Sequence, residues 1–378
     1  MKYSFADYLA CYKCQKSFTI TVFSENKKSD NPGYPVKTCR SFCAYKKTAV
    51  LPDESYPCEA CQKQEIEEGL LECPQCGKWY PIINTIPIIL PNALDIFPEF
   101  LEKYKNILPE WNFSSLDKKV FEKEKLKTQK SFGFEWKIYS VTRDERDKKY
   151  CLEGGLTPDF FKGKTVLDAG CGYGRHTRII SQWAKEIIGI DLSVSIFNAR
   201  NVTKDIPNVH LVQGDLFEPP FLKEKFDIVY SWGVLHHTPN PRKAFETLKN
   251  FVKSGGFYSV KIYKKFPLPA QFIERAIRLI TLRLPLNLLY KTSYIAVPLN
   301  KLYWRFGKFV PGMKYFLKCF IKLDPNPEIA RIDTFDWYHP QYQYHYPMEE
   351  IISWFNDCGF EEIIAIESEG VRGKKSSK

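Results

Sequence analysis

The chain has 378 residues, of which 55 are Lys or Arg and 44 are Asp or Glu, so its net charge at neutral pH is +11. Apolar residues make up 44% and aromatic residues 15% of it, which excludes a largely disordered chain and predicts two or three folded domains. No apolar run approaches the ~20 residues of a membrane span, and the start lacks a basic segment followed by an apolar one, so we expect a cytoplasmic protein.

Eight of the twelve cysteines precede residue 77 and form four close pairs. The pairs are Cys11/Cys14, Cys39/Cys43, Cys58/Cys61 and Cys73/Cys76. A short spacing lets one tight turn present two thiolates to a tetrahedral ion, and two such turns complete a structural zinc site. We expect consecutive pairs to share a site because the loops are then short, although crossed pairing is open. A disulfide framework is the alternative, but nothing else indicates an oxidising compartment.

The segment from Leu70 to Pro91 contains Cys73-Pro-Gln-Cys76 and ends in an apolar run. It resembles the small zinc-ribbon proteins that activate tRNA and protein methyltransferases, and their relatives fused to methyltransferases. That family usually has one four-Cys site, so a second set is a departure. The resemblance implies a structural zinc module over residues 1–91 that helps to shape an acceptor site. A purely stabilising appendage is the alternative.

Residues 92–134 are predicted to be a linker and a lid. The run Leu116–Lys127 has the composition of a charged, solvated helix. The aromatic segment Ser131–Tyr139 that follows is either a lid over a cofactor or simple packing on a sheet edge.

The segment Thr165–Ile180 reads as a buried strand, a glycine-rich turn and a helix. Glycines at 170, 172 and 174 let the backbone approach a ligand, and the helix start favours negative charge. Their spacing is tighter than in a dinucleotide fingerprint. Asp168, two residues before the first glycine, suits a ligand that carries an ammonium and a sulfonium better than a pyrophosphate.

The run Asp168-Ala-Gly-Cys-Gly-Tyr-Gly174 resembles the first motif of class I methyltransferases that use S-adenosylmethionine (SAM), of the type 11 kind. Three further motifs follow in order at predicted strand ends. The resemblance implies an α/β fold over residues 135–378, with a doubly wound, mostly parallel, seven-stranded type of sheet. By the same resemblance Asp191 accepts the ribose hydroxyls and Asp215 the adenine amino group. The implied cofactor-binding residues are Asp168, Gly170, Gly172, Gly174, Asp191, Leu192, Asp215, Leu216, Ser231 and Trp232.

A basic insertion, residues 261–323, carries 13 Lys and Arg residues and one acid, Glu274. Within it Phe272, Ile277 and Ile280 belong to a predicted apolar helix stripe. Such an insertion could cap the acceptor pocket, hold an anionic substrate, contact acidic membrane lipid or bind nucleic acid; a helical lid with a solvated basic face is the simpler alternative.

The aromatic segment from Ile332 to Glu350 resembles the acceptor-side segment of a subgroup of these enzymes. Its histidines, His339 and His345, are candidate general bases, as are His236 and His237 after the fourth strand. A histidine in an aromatic cluster is more often structural.

The sequence therefore predicts a SAM-dependent methyltransferase with structural zinc, acting on an oxygen or nitrogen of a small or lipid-linked molecule such as a sugar or nucleotide sugar. The alternative is a zinc-ribbon RNA methyltransferase acting on rRNA or tRNA. Against it, the zinc region has no strong basic excess, and the fourth motif lacks the Asn/Asp-Pro-Pro-aromatic tetrad of exocyclic-amine enzymes. A module that only binds SAM is a third hypothesis, which the intact Asp168, Asp191 and Asp215 oppose.

Overall fold

The computed structural model describes residues 1–27, 39, 42–51, 54–110, 113, 115–138, 157–366 and 370–377. Its strands are β1 (Thr19–Lys27), β2 (Phe42–Cys43), β3 (Thr48–Ala49), β4 (Gln64–Glu72), β5 (Trp79–Ile83), β6 (Ile86–Ile89), β7 (Thr165–Ala169), β8 (Glu186–Asp191), β9 (Val209–Gly214), β10 (Phe226–Trp232), β11 (Val252–Lys261), β12 (Phe360–Ile366) and β13 (Gly370–Lys375). Its α-helices are α1 (Cys58–Gln62), α2 (Ala93–Ile96), α3 (Pro98–Tyr104), α4 (Ser115–Ile138), α5 (Pro158–Phe161), α6 (Arg175–Ile180), α7 (Ile196–Thr203), α8 (Pro241–Leu248), α9 (Leu268–Thr281), α10 (Leu286–Thr292), α11 (Ala296–Phe306), α12 (Met313–Lys318), α13 (Pro327–Tyr338) and α14 (Met348–Asp357).

Seven strands in the order β9-β8-β7-β10-β11-β13-β12 form the sheet that the sequence predicted. The pairs from β9 to β11 are parallel, and β13 is antiparallel to both of its neighbours. All five residues of β7 are buried, as expected for a strand with both sheet faces covered. The doubly wound, mostly parallel fold is therefore confirmed, and the carboxyl ends of its central strands share one edge.

The same sheet continues into the cysteine-rich N-terminal part. Strand β6 pairs in parallel with β9, through Ile88 with Gln213 and Ile89 with Gly214. Antiparallel pairing then adds β5, β4 and β1, so the sheet has eleven strands. The zinc-ribbon region and the parallel sheet thus share backbone hydrogen bonds as well as side-chain contacts.

The first ten residues also pack on the parallel sheet. The N–H of Leu222 donates to the Tyr8 carbonyl at 3.0 Å, and the N–H of Ala10 donates to the Pro220 carbonyl at 2.9 Å. Leu9 and Phe221, which face each other across this contact, are fully buried. One apolar cluster contains both of them, so the core runs unbroken between the two parts of the chain.

The predicted linker is largely helical. The charged run Leu116–Lys127 and the aromatic segment beginning at Ser131 form one continuous helix, α4, which crosses the boundary predicted between residues 134 and 135. Tyr139, the end of the predicted lid, lies outside the described residues. No helix in the described part of the chain combines the length and the hydropathy of a membrane span.

The shared core makes a prediction about cooperativity. Phe221→Ala removes a fully buried ring between the two parts and should lower the free energy of unfolding by about 3–5 kcal/mol. Metal release and loss of the sheet signal should still coincide in one denaturant transition, because one core serves both. Phe42→Ala, at a 36% exposed ring, is the matched control and should change little. Two well-separated transitions in the native chain would contradict a shared core.

Candidate active site

The turn after β7 needs glycine for conformation and for space. Gly170, Gly172 and Gly174 have positive φ angles of 88°, 55° and 83°. A Cβ on Gly170 would lie 2.3 Å from a methyl carbon of Val234, and one on Gly174 would lie 2.8 Å from the Cβ of Ala199. The turn can therefore bring its backbone N–H groups close to a ligand only with these glycines in place.

This turn borders a cavity of about 230 Å³ at the carboxyl ends of the central strands. Most of the predicted cofactor residues line it: Asp168, Gly170, Gly172, Asp191, Leu192, Asp215, Leu216 and Trp232. Gly174 supports the turn without lining the cavity. Ser231 is fully buried and donates its hydroxyl to the Ala169 carbonyl at 2.9 Å, so the structure does not bring it to the cavity.

Asp168 is a buried carboxyl group in the cavity wall. Its Oδ2 accepts a hydrogen bond of 2.6 Å from the Thr177 hydroxyl. Burial raises the pKa of Asp168 to about 7, and the nearby charge of Asp191 acts in the same direction. A cationic ligand would restore the ionised carboxylate, which is the property expected of an ammonium-binding group.

Asp191, at the end of β8, is held by backbone donors. Its Oδ2 accepts from the Gly172 N–H at 2.8 Å, and its Oδ1 accepts from the N–H and hydroxyl of Ser193 at 2.8 and 2.7 Å. Burial raises its pKa above the ordinary value. The carboxylate is thus fixed at the strand end where hydroxyl groups of a sugar would reach it.

Asp215 follows β9 and forms an ion pair with Lys125, a residue that no sequence motif distinguishes. Its Oδ1 accepts from the Phe217 N–H at 2.9 Å, and its Oδ2 accepts from the ammonium group of Lys125 in α4. Lys125 also lies 5.0 Å from the centre of the Phe217 ring. In the sequence Lys125 is one cation in a charged run, and only the packing of α4 on the strand ends distinguishes it.

Helix α4 also contributes Thr128, Gln129 and Phe132 to the cavity wall. The Phe132 ring lies 5.3 Å from the ring of His237 and 5.1 Å from that of His339. The aromatic segment predicted as a lid therefore borders the cavity through Phe132.

His237 is the one candidate histidine whose side chain lines this cavity. Its Nδ1 lies 2.9 Å from the Tyr342 carbonyl. A carbonyl only accepts, so Nδ1 carries the proton and Nε2 holds a lone pair. Burial lowers the pKa of His237 to about 4, which keeps the ring neutral at physiological pH. Asp336 and Tyr263 line the same cavity.

The other three candidate histidines have structural partners. His236 is buried, accepts from the Tyr263 N–H at 3.3 Å and stacks on its ring at 3.7 Å. The Nε2 of His345 is 3.4 Å from Glu274. None of the three is among the residues that line the cavity.

His339 belongs to a buried cluster beside the cavity. Its Nε2 lies 3.1 Å from Glu135 Oε2 and 3.6 Å from Asp336 Oδ1. Burial raises the pKa of Glu135 to about 7, whereas hydrogen bonding to His339 keeps the pKa of Asp336 below its ordinary value. His339 therefore positions Asp336, which faces the cavity.

Comparison with known families agrees with this geometry. Residues 167–260 match the family described as a methyltransferase domain. This match covers less than half of the chain, and it supports a methyltransferase domain within the seven-stranded sheet.

The curated relatives share this domain but not the whole chain. Over 187 residues the chain is 30% identical to a tRNA U34 carboxymethyltransferase of Methylococcus capsulatus, covering 47% of this chain and 56% of the relative. It is 39% identical over 99 residues to the protein of the same name from Aeromonas salmonicida, covering 25% and 30%. The chain thus spans about half the length of these relatives, or less.

Two solved structures resemble parts of this chain. The complex between the Haloferax volcanii Trm112 methyltransferase activator and a methyltransferase is 16% identical, with 62% of this chain and 94% of that chain covered and a TM-score of 0.36. A SAM-dependent methyltransferase from Aquifex aeolicus is 15% identical, with 62% and 98% covered and a TM-score of 0.35.

Ahead of the methyltransferase domain, two cysteine turns have the same backbone geometry. In each turn the first Cys makes two backbone hydrogen bonds. Its carbonyl accepts from the N–H four residues later, and its own N–H donates to the carbonyl five residues later. The four bonds are Gln15 N–H to Cys11 (2.8 Å), Cys11 N–H to Lys16 (2.9 Å), Gly77 N–H to Cys73 (2.9 Å) and Cys73 N–H to Lys78 (2.8 Å). Equivalent turns of this kind present their sulfurs in the same way.

These two turns face each other. The sulfur atoms of Cys11, Cys14, Cys73 and Cys76 all lie within 4.8 Å of one another, with 3.9 Å between Cys11 and Cys76. The expectation that consecutive pairs share a site is therefore wrong: the first pair joins the last. Four thiols so arranged fit a tetrahedral zinc ion and leave no open position for catalysis.

The other early cysteines are Cys39, Cys43, Cys58 and Cys61. Burial raises the pKa of Cys61 to about 12, and the charges of Cys39, Cys43 and Cys58 act in the same direction. Among the described residues these four do not form a group whose sulfur atoms all lie within 4.8 Å of one another. A second site that they share, which would make the eight cysteines interleave as outer and inner pairs, stays a prediction.

The interleaved pairing predicts which double variants lose metal together. Metal analysis of the native chain should find up to two zinc ions. Cys11→Ser with Cys73→Ser should lose one ion, because both thiolates serve one site. Cys11→Ser with Cys61→Ser should lose both. Loss of two ions from the first double variant would instead support the consecutive pairing.

The raised pKa of Asp168 predicts proton release on SAM binding. Near neutral pH part of the free protein carries this proton, and the SAM ammonium favours its loss. Affinity should therefore fall below about pH 7, by up to about tenfold per pH unit. Calorimetry in buffers of different ionisation enthalpy measures the released proton. Asp168→Asn should bind more weakly and lose this pH dependence; equal affinity of the native chain at about pH 6 and about pH 8 would contradict the assignment.

Proposed function

We propose that this chain transfers a methyl group from SAM to a hydroxyl or amine of an acceptor that binds beside His237 and Asp336. The observation that carries this proposal is the single cavity shared by the glycine turn, the carboxylates of Asp168, Asp191 and Asp215, and the neutral ring of His237. Together with the matching methyltransferase family, this arrangement supports methyl transfer over SAM binding alone.

The residues present fit SAM on chemical grounds. A buried carboxyl with a raised pKa, Asp168, has the property needed to bind an ammonium group. Asp191 is oriented by Gly172 and Ser193 and is the acceptor for the ribose hydroxyls. Asp215 is the acceptor for the adenine amino group, which would compete with Lys125 for Oδ2.

The chain's own contribution to the reaction is positioning and proton removal. The sulfonium supplies an activated methyl group and a good leaving group, so the acceptor atom must be held close to it with water excluded. His237 Nε2 is the unprotonated nitrogen that takes a proton from an attacking hydroxyl. Asp336, held by His339, accepts a hydrogen bond from the acceptor.

The names of the curated relatives support a tRNA nucleoside as the acceptor. The sequence alone favours a sugar or lipid-linked molecule over RNA, whereas the names of these relatives favour the RNA alternative. A tRNA acceptor also accords with a cytoplasmic protein and with the basic insertion, since phosphate contacts draw on Lys and Arg. We therefore propose tRNA as the first acceptor to test.

A lipid-linked acceptor is the second candidate, favoured by one structural observation. The basic insertion exposes large apolar side chains, among them Phe272, Leu279 and Ile280, each more than 60% exposed. Phosphate recognition alone does not require such side chains.

Transfer from methyl-labelled SAM into a cell extract separates the two acceptors. Nuclease-sensitive label supports tRNA, and solvent-extractable label supports a lipid-linked molecule. His237→Asn keeps an amide donor for the Tyr342 carbonyl but removes the base, so it should lower kcat by about a hundredfold or more without weakening SAM binding.

The matched control for this experiment is His210→Asn, which changes a buried histidine that does not line the cavity. It should retain most of the turnover. Unchanged turnover in His237→Asn would remove the general-base role, and failure of the native chain to label any acceptor while binding SAM would contradict the proposed transfer.

A further inference from the structure

The basic insertion carries most of the large apolar side chains that the described residues expose. Of their twenty-two exposed large apolar side chains, fourteen lie between residues 268 and 320. They are Leu268, Phe272, Leu279, Ile280, Leu288, Tyr294, Ile295, Leu302, Phe306, Phe309, Val310, Tyr315, Phe316 and Phe320. Scattered exposed apolar residues are normal, but this concentration in one insertion indicates an interaction surface.

Helix α9 shows this most clearly because its polarity is reversed. Its buried side chains are the charged ones, Glu274 at 5% and Arg278 at 8% exposure. Leu268, Phe272 and Leu279 are 67%, 67% and 62% exposed. At 100° per residue these three lie within a narrow arc, so they form one outward stripe. A helix packed on a globular core has the opposite arrangement.

The inward charges of α9 have specific partners. Glu274 Oε1 accepts from the Gln343 side-chain amide at 2.7 Å, and Arg278 donates to the Trp337 carbonyl at 3.1 Å. These contacts fix the rotation of the helix about its axis. The outward apolar stripe is therefore a consequence of well-satisfied polar packing beneath it.

The charge of the insertion selects the partner. Arg275 is exposed and lies beside the apolar stripe on α9, and Arg283 is exposed just beyond the end of this helix. The single acid of the insertion, Glu274, is buried, so its surface presents cations and apolar groups together. This combination repels a second copy of itself. It complements an anionic bilayer, in which apolar side chains enter the headgroup boundary and Lys and Arg remain at the phosphates.

We propose that the segment 268–320 docks on the surface of an anionic lipid bilayer without crossing it. Two connections join this surface to residues that line the cavity. Lys261 and Tyr263, which line the cavity, directly precede α9. Arg278 holds the chain immediately after Asp336, which also lines it. Docking would thus place the cavity beside the membrane, whichever acceptor it serves.

Vesicle flotation of the full chain tests this proposal. The native chain should bind vesicles of phosphatidylcholine with phosphatidylglycerol, and bind pure phosphatidylcholine more weakly. Phe272→Ser with Leu279→Ser should lower the partition coefficient by about tenfold or more, since two apolar side chains no longer enter the bilayer. Arg275→Gln with Arg283→Gln should reduce binding to the anionic vesicles only.

Leu101→Ser with Ile107→Ser is the matched control, because these side chains are 42% and 61% exposed but lie outside the insertion. It should bind like the native chain. SAM affinity, measured without vesicles, should be unchanged in every variant and reports separately on the proposed function.

Three outcomes would overturn the proposal. The first is a native chain that binds SAM but not the anionic vesicles. The second is a native dimer that Phe272→Ser with Leu279→Ser converts to monomer, which would assign the stripe to a second copy. The third is a loss of tRNA binding in the same variant with vesicle binding intact, which would assign it to RNA.

Discussion

The pairing of β6 with β9 is the contact on which the arrangement of the molecule depends. It joins Ile89 to Gly214, and the next residue after Gly214 is Asp215, a predicted ligand for the cofactor. The strand that carries Asp215 is therefore an interior strand of an eleven-stranded sheet instead of an edge. An interior strand has both rows of backbone groups paired, which fixes its end more firmly than an edge strand.

The cluster of Cys11, Cys14, Cys73 and Cys76 lies at the ends of strands on the opposite side of β6 from β9. Cys73 follows β4 and Cys76 precedes β5, so their turn is the connection between these two strands. Cys11 and Cys14 lie just before β1, which pairs with the other side of β4. An ion held by these four thiolates would tie three strand ends together. Such an ion would give the N-terminal module a structural role that extends through paired backbone to the strand before Asp215.

A polar chain makes a second connection between the two parts. Asn92, shortly after β6, donates to the Gln129 side chain at 3.1 Å, and Gln129 donates to the Leu192 carbonyl at 3.1 Å. Gln129 and Leu192 both line the cavity. Because buried polar groups depend on such partners, a shift of β6 would reach Leu192, the neighbour of Asp191 in the cavity wall.

Short sequence motifs predicted those parts of the structure whose geometry depends on residues close together in the chain. The glycine turn and the acid at the end of β8 follow from short motifs whose spacing has a physical cause, and the resemblance to class I methyltransferases implied the doubly wound, mostly parallel sheet. The pairing of cysteines does not follow from such motifs, because loop length favours neighbours while the sheet brings the first and last pairs together. Lys125 was hidden in a charged run, and the outward face of α9 depends on partners some sixty residues later.

The segment after α13 receives contacts from two helices that have different tasks. Glu135 of α4, the helix that borders the cofactor cavity, hydrogen-bonds to His339. Arg278 of α9, whose other face is apolar and exposed, donates to the Trp337 carbonyl. Asp336 lies between these contacts and faces the cavity. A movement of α9 or of α4 would therefore reach Asp336 through its neighbours Trp337 and His339.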